Sequence, residues 1–256
     1  MKNFKSRIFS KMKAMCGNSA PVSSVRGSNE AVDADIFYHK SYSQSGEDVI
    51  VKFIFDCLGI PNPTYIDIGA NHPFHLNNTA LFYQKGSRGI NIEPNPELYG
   101  LLQKFRKDDI NLNIGVAGRK GTLDFYLMSS PTMSTFSSEE KERLEKDTAL
   151  NVSSVIEART DTLYNIINDY AHGVFPDFLS LDVEGFEQAI LEKIDYDSNF
   201  PKVLCIETLT YTENNSELKE HEMIDYVIGK GYLLFADTYI NSIFVRKDLW
   251  TGRKRQ

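Results

Sequence analysis

The chain has 256 residues, 41% hydrophobic and 12% aromatic, enough apolar material for the core of one decorated domain and too much for an extended disordered chain. Its formal net charge of −7 is unevenly spread: residues 1–29 hold six basic residues and no acid, leaving 22 basic against 35 acidic residues in the rest. A body carrying a net −13 repels a phosphate backbone, which argues against a nucleic-acid substrate.

At the start, Phe4, Ile8, Phe9, Met12 and Met15 recur near helical spacing among lysines, too broken for a secretory core or a membrane span. The stretch reads as a disordered basic tail, as a weak amphipathic contact of residues 1–15 with an anionic membrane surface, or, ranked third, as an organellar transit peptide. Residues 17–35, rich in Ser, Gly, Asn and Ala, read as a linker. The expected organisation is therefore a tail and linker over 1–36, one domain over 37–250 and a basic tail over 251–256. Cys16, Cys57 and Cys205 show no CxxC spacing. Cys57 in an apolar helix and Cys205 in an apolar strand read as small buried hydrophobes in a reducing, cytoplasmic compartment, with any membrane association peripheral.

Folded structure is predicted from about residue 38. The polar turn Tyr42-Ser43-Gln44-Ser45-Gly46-Glu47-Asp48 caps a helix with apolar positions Val49, Ile50, Phe53, Ile54 and Leu58. Gln44 and Glu47 either belong to that cap or sit over the polar end of a cofactor. Tyr65-Ile66-Asp67-Ile68-Gly69-Ala70-Asn71 then reads as a buried strand entering a tight turn, with Gly69 free of a Cβ clash. A helix over 78–85, stopped by Gly86, is expected to point its positive end at a ligand beyond that strand. A dinucleotide turn needs three glycines, whereas Gly69 is followed by Asn71, Pro73 and Phe74, so a pyrophosphate would meet side chains. S-adenosylmethionine carries no phosphate and needs only one glycine; its cationic groups favour an acidic wall such as Asp67.

The next strand, 89–92, ends in Glu93 and Pro94. An acid there can accept both ribose hydroxyls of an adenosine, or it can be merely solvated. A helix over 96–106 and a third strand over 110–117 follow, with Gly115 and Val116 expected beside the adenine. Residues 122–128 alternate as an exposed strand, 129–136 form a hydroxyl-rich loop, 139–146 a charged helix, and 152–158 a strand pairing with 122–128. This insertion is expected to cover the substrate. Helix 161–170, strand 178–182, helix 186–194, strand 203–207, helix 217–229 and an antiparallel pair over 232–236 and 242–246 complete seven core strands.

Four stretches together resemble the FkbM-type family of S-adenosylmethionine-dependent methyltransferases: residues 42–48, Ile66-Asp67-Ile68-Gly69-Ala70-Asn71, Asn91-Ile92-Glu93-Pro94-Asn95-Pro96, and Leu181-Asp182-Val183-Glu184-Gly185-Phe186-Glu187. They fall in the family's order across roughly residues 40–248. The resemblance implies an α/β fold, a Rossmann-like seven-stranded class I methyltransferase sheet with a β-hairpin and helix inserted after the third strand. It also implies O-methylation, commonly of sugar hydroxyls in glycans, glycolipids or polyketide-type natural products, and the acceptor expected here is a sugar hydroxyl of a glycan, nucleotide-sugar or glycolipid. It places Asp67, Gly69 and Asn71, with Ala70 between them, around the methionine part of the cofactor, Glu93 with Pro94 at the ribose, and Asp182 next to the transferred methyl.

A sugar hydroxyl becomes a competent nucleophile only as its proton is accepted, and the candidate bases are Asp182, Glu184 and Glu207, with His72 and His75 as alternatives. Asp182-x-Glu184 admits Mg²⁺, which is not favoured because a third ligand is lacking; His72 and His75 lack the partners of a zinc site. Gly185 suggests a close backbone approach. The rival readings are an NAD(P)-dependent oxidoreductase, weakened by the missing glycines and the absence of a Tyr-x-x-x-Lys pair near the fourth strand, and a non-catalytic adenosine-binding module. Acceptor identity and oligomeric state are not specified.

Overall fold

A computed structural model of the chain describes residues 39–213 and 217–253. The tail and linker, including the surface contact expected of residues 1–15, lie outside the described residues. In chain order, α1 (Glu47–Leu58), β1 (Tyr65–Ile68), α2 (Ala80–Gln84), β2 (Gly89–Ile92), α3 (Pro96–Phe105) and β3 (Ile110–Leu112) alternate. An insertion follows, made of β4 (Gly115–Val116), β5 (Gly121–Met128), α4 (Ser138–Asp147) and β6 (Val152–Asp161). The alternation resumes with α5 (Leu163–Tyr170), β7 (Phe178–Leu181), α6 (Glu187–Leu191), β8 (Val203–Glu207) and α7 (His221–Gly229), and closes with β9 (Tyr232–Asp237), β10 (Asn241–Arg246) and α8 (Lys247–Gly252).

The main sheet has seven strands in the order β3-β2-β1-β7-β8-β10-β9. Every pairing is parallel except those of β10, which runs antiparallel to β8 and β9. Its central strands are mostly apolar because both faces are covered, with Asp67, Asn91 and Ser180 as buried polar exceptions in β1, β2 and β7. In β8, Val203 and Cys205 join a core with Val51, Ile54 and Phe55 of α1, while Leu204 and Ile206 face the opposite core with Ile166 of α5 and Val227 of α7. The same two-residue period splits β1: Ile66 and Ile68 pack into the second core and Tyr65 into the first. The side chain of Asp67 therefore points to the α1 side with Tyr65, which decides its role below.

The expected inserted hairpin is present: β5 and β6 pair antiparallel from Gly121↔Thr160 to Met128↔Val152. The expected third strand divides in two. Only Ile110–Leu112 pairs with β2, whereas Gly115–Val116 crosses to the inserted hairpin and pairs in parallel with β6. Between them the amide of Asn113 donates to the carbonyls of Glu93 and Pro94, both at 2.9 Å, tying the transition to the end of β2.

The helix expected over 78–85 is limited to Ala80–Gln84, and an eleven-residue turn, 69–79, separates it from β1. That turn is anchored from below by Arg106, 0% exposed. Its guanidinium donates to Asp109 (2.9 Å), the Tyr65 hydroxyl (2.9 Å), Thr79 Oγ1 (3.1 Å) and the Pro73 carbonyl (3.2 Å). The helix expected over 186–194 likewise shortens to Glu187–Leu191, and that expected over 217–229 begins at His221. Cys205 is the buried free thiol expected, but Cys57 is half-buried and disulfide-bonded. Among the described residues no helix is long and apolar enough to cross a membrane.

Candidate active site

At the carboxyl ends of β1, β2, β7 and β8 lies a cavity of about 370 Å³, within the range typical of small-molecule sites. Its floor is Gly69, Asn71, Glu93, Pro94 and Asp182, and Gly115 and Val116 close one side. Gly69 is forced by geometry as well as by its φ of +82°: a Cβ there would sit 1.7 Å from the carbonyl oxygen of Asp182, so β1 and β7 can converge only at a glycine. Beyond it, the amides of Gly69 and Ala70 both donate to the carbonyl of Ile92 (3.0 and 3.1 Å), and the amide of Asn71 donates to Glu93 Oε2 (2.7 Å). The backbone donors that would cradle a pyrophosphate are thus committed within the protein, which weighs against the dinucleotide reading.

Glu93 is 5% exposed and reaches back from the end of β2. Its Oε1 accepts from the Asn95 amide at 2.8 Å, so each oxygen keeps one lone pair for a ligand hydroxyl. Burial pushes its pKa up to about 7, the two amide bonds opposing the shift.

Three carboxylates converge where β7 and β8 end. Oxygens of Asp182, Glu184 and Glu207 all lie within 4.8 Å of one another. Asp182 is open to the cavity yet walled by protein; burial, then the charge of Glu187, raises its pKa to about 7. Burial pushes Glu184 and Glu207 well above the ordinary carboxylate range, the charge of Asp182 adding to both. The proximity of Asp182 and Glu207 acts on the two in opposite senses, lowering the pKa of Asp182 and raising that of Glu207. Glu184 has a left-handed backbone, φ +55°, which costs a non-glycine residue on the order of 1 kcal/mol or more. It is held there by Glu187, whose carboxylate accepts from the amides of Val183 (2.8 Å) and Gly185 (3.0 Å), and by Thr135, whose hydroxyl donates to the Glu184 carbonyl (2.7 Å). Glu187 lay in view in the sequence but drew no role, because only the folded turn aims its carboxylate at those amides. Gly185 serves the turn through its φ of +102°; its hydrogen side has ordinary contact distances, so the expected close approach is not found.

Five of the expected site residues, Asp67, Glu47, His72, His75 and Ala70, do not line the cavity. Asp67, 3% exposed, accepts from Thr79 Oγ1 (2.8 Å) and Asn77 Nδ2 (3.2 Å) on the α1 side of the sheet, so it holds the 69–79 turn instead of facing a cofactor. Glu47 is fully buried and binds Thr238 Oγ1 (2.7 Å), Asn241 Nδ2 (3.2 Å) and the Ser45 amide (2.7 Å), joining α1 to the β9–β10 turn. Its pKa is lowered although burial opposes this, because those bonds favour the charged form. His72 spends Nδ1 on the amides of Phe74 and His75, and Ala70 is packed inside. Gln44 does line the cavity.

The roof is drawn from distant parts of the chain. Ser130 to Ser134 and Phe136 of the insertion form one half, with the Phe136 ring tilted against Phe125 at a centroid separation of 4.6 Å and lying where a Gly115 side chain would be, 2.4 Å from its Cβ position. Leu209 to Thr212, after β8, form the other half with Tyr239. Arg143 of α4 donates to the Tyr211 carbonyl at 2.8 Å and fastens the halves together. The hydroxyl-rich loop was legible as a cover; the 209–212 half and Tyr239 carried no motif.

The sheet order and the strand-end cavity define a Rossmann-like methyltransferase fold. The chain belongs to the FkbM methyltransferase family: the profile of the methyltransferase FkbM domain matches residues 67–234. No curated protein matches it. A solved structure titled "Putative hemolysin from Streptococcus thermophilus" aligns at 14% identity and a TM-score of 0.38, covering 82% of this chain and 69% of that one.

Proposed function

We propose that the enzyme is an S-adenosylmethionine-dependent O-methyltransferase acting on a sugar hydroxyl of a glycan, nucleotide-sugar or glycolipid. The observation that carries the reading is the cluster of Asp182, Glu184 and Glu207 facing a roof of aromatic rings and hydroxyls across a single cavity. When bound, the cofactor supplies a methyl group on a cationic sulfonium, already a good leaving group. Glu93 accepts the ribose hydroxyls through its remaining lone pairs. Asp182 takes the acceptor's proton as the new carbon–oxygen bond forms, and a carboxylate whose pKa is raised toward neutrality is a stronger base than an ordinary one. Phe125, Phe136 and Phe186 exclude water and offer apolar faces to a sugar ring, while Thr210, Thr212 and Tyr239 supply polar contacts.

Calorimetry with S-adenosylmethionine, S-adenosylhomocysteine and NAD tests the cofactor, and release of S-adenosylhomocysteine on a panel of glycans and nucleotide-sugars tests the acceptor. Tight binding of NAD and none of S-adenosylmethionine would refute the reading.

A further inference from the structure

We infer that Asp182, Glu184 and Glu207 form a binding site for one hard divalent cation, of the Mg²⁺ or Mn²⁺ class, facing the cavity. Hard divalent ions take oxygen ligands ~2.0–2.6 Å away, so ligands of one ion lie at most about 4–5 Å apart. The three carboxylates meet that condition, with oxygens within 4.8 Å of one another. In the sequence Asp182 and Glu184 stood without a third ligand; Glu207, at the tip of the adjacent parallel strand β8, supplies it.

A second observation points to a ligand independently of the clustering. Glu184 is 7% exposed and lines the cavity, and although its backbone carbonyl accepts from Thr135, its carboxylate accepts no hydrogen bond from any described residue. A buried carboxylate with no donor is costly unless a cation or donor from outside the chain completes it. Arg143, a cationic side chain whose charge acts on Glu184, is engaged by Glu140 through Nε at 2.8 Å and by the Tyr211 carbonyl. Oxygen-only ligation excludes the softer thiolate-preferring ions. Three protein ligands leave coordination positions toward the cavity, which water or adjacent hydroxyls of an acceptor would fill. The site goes beyond the methyl-transfer reading and does not depend on it.

The test measures Mn²⁺ alone binding to the purified full-length chain, by paramagnetic resonance of free Mn²⁺ and by calorimetry, with Mg²⁺ as competitor. Wild type is expected to bind one Mn²⁺ per chain and to release it to Mg²⁺. Glu184→Gln and Glu207→Gln should each weaken binding at least tenfold, while Glu142→Gln, an exposed acid on α4, leaves it unchanged. As a readout that needs no variant, saturating Mn²⁺ should raise the wild-type melting temperature. No saturable binding, no thermal shift, or wild-type affinity in both folded variants would overturn the site. Neither readout contains cofactor or acceptor, so failure here is distinguishable from failure of the methyl-transfer reading.

Discussion

The backbone amide of Asn71 donates a 2.7 Å hydrogen bond to Glu93 across the tips of β1 and β2, so the turn that ends one strand is fixed by the acid that ends the next. Glu93→Ala removes this brace together with the acceptor proposed for the ribose hydroxyls. Cofactor affinity should fall by about 1–3 kcal/mol, read by calorimetry with S-adenosylhomocysteine. Unchanged affinity would place the ribose elsewhere.

The same residue makes stability depend on pH. Its folded-state pKa of about 7 lies above the ordinary 4.5, so its contribution is fully present below about pH 4.5 and is lost as pH rises through 7. The difference corresponds to on the order of 3 kcal/mol. Ligand-free protein should melt at a higher temperature at pH 5 than at pH 8, and Glu93→Gln should flatten that slope. A wild-type melting temperature constant across this window would contradict the assignment.

Asp182→Asn should leave cofactor binding nearly intact and reduce turnover ~10²–10⁴-fold. In the wild type assayed without divalent cations, kcat should decline as pH drops below about 7, because the accepting carboxylate takes up a proton there. Full turnover in the variant would remove Asp182 from the chemistry.

Gly69→Ala places a methyl group 1.7 Å from a carbonyl oxygen and a side chain at φ +82°. Destabilisation of about 3 kcal/mol or more is expected in urea unfolding. A change under about 1 kcal/mol would mean that the tips of β1 and β7 separate easily.

Arg106→Leu strips the counter-ion from Asp109, whose side chain is also 0% exposed. Leaving a buried carboxylate unpaired costs about 3–5 kcal/mol. The loss should appear in thermal unfolding, and Arg106→Leu combined with Asp109→Leu should recover part of it.

Much of the fold was legible because parallel strands covered on both sides are written as short apolar runs between helices. β8 falls on its predicted span, and the antiparallel closing pair on nearly its own. Ile110 to Ala117 misled because apolar content tells that a segment extends, not which sheet it joins; Asn113, bonded to the end of β2, makes that choice. Within the site, Asp182, Glu93 and Glu207 could be read as acids at strand ends. Asp67 and Glu47 look the same in one dimension. Their partners, Thr79 for the first and Thr238 and Asn241 for the second, are visible only once the chain folds. For Asp67 the alternation with Ile66 and Ile68 already placed it on the Tyr65 face, a parity signal that was available.

The cavity has two tenures along the chain: its floor comes from tips of the parallel sheet, its ceiling from the 121–161 insertion and the stretch after β8, joined by Arg143 and Tyr211. Because Thr135 of the insertion also holds the Glu184 carbonyl, a change in the ceiling reaches the acidic cluster of the floor through one 2.7 Å hydrogen bond.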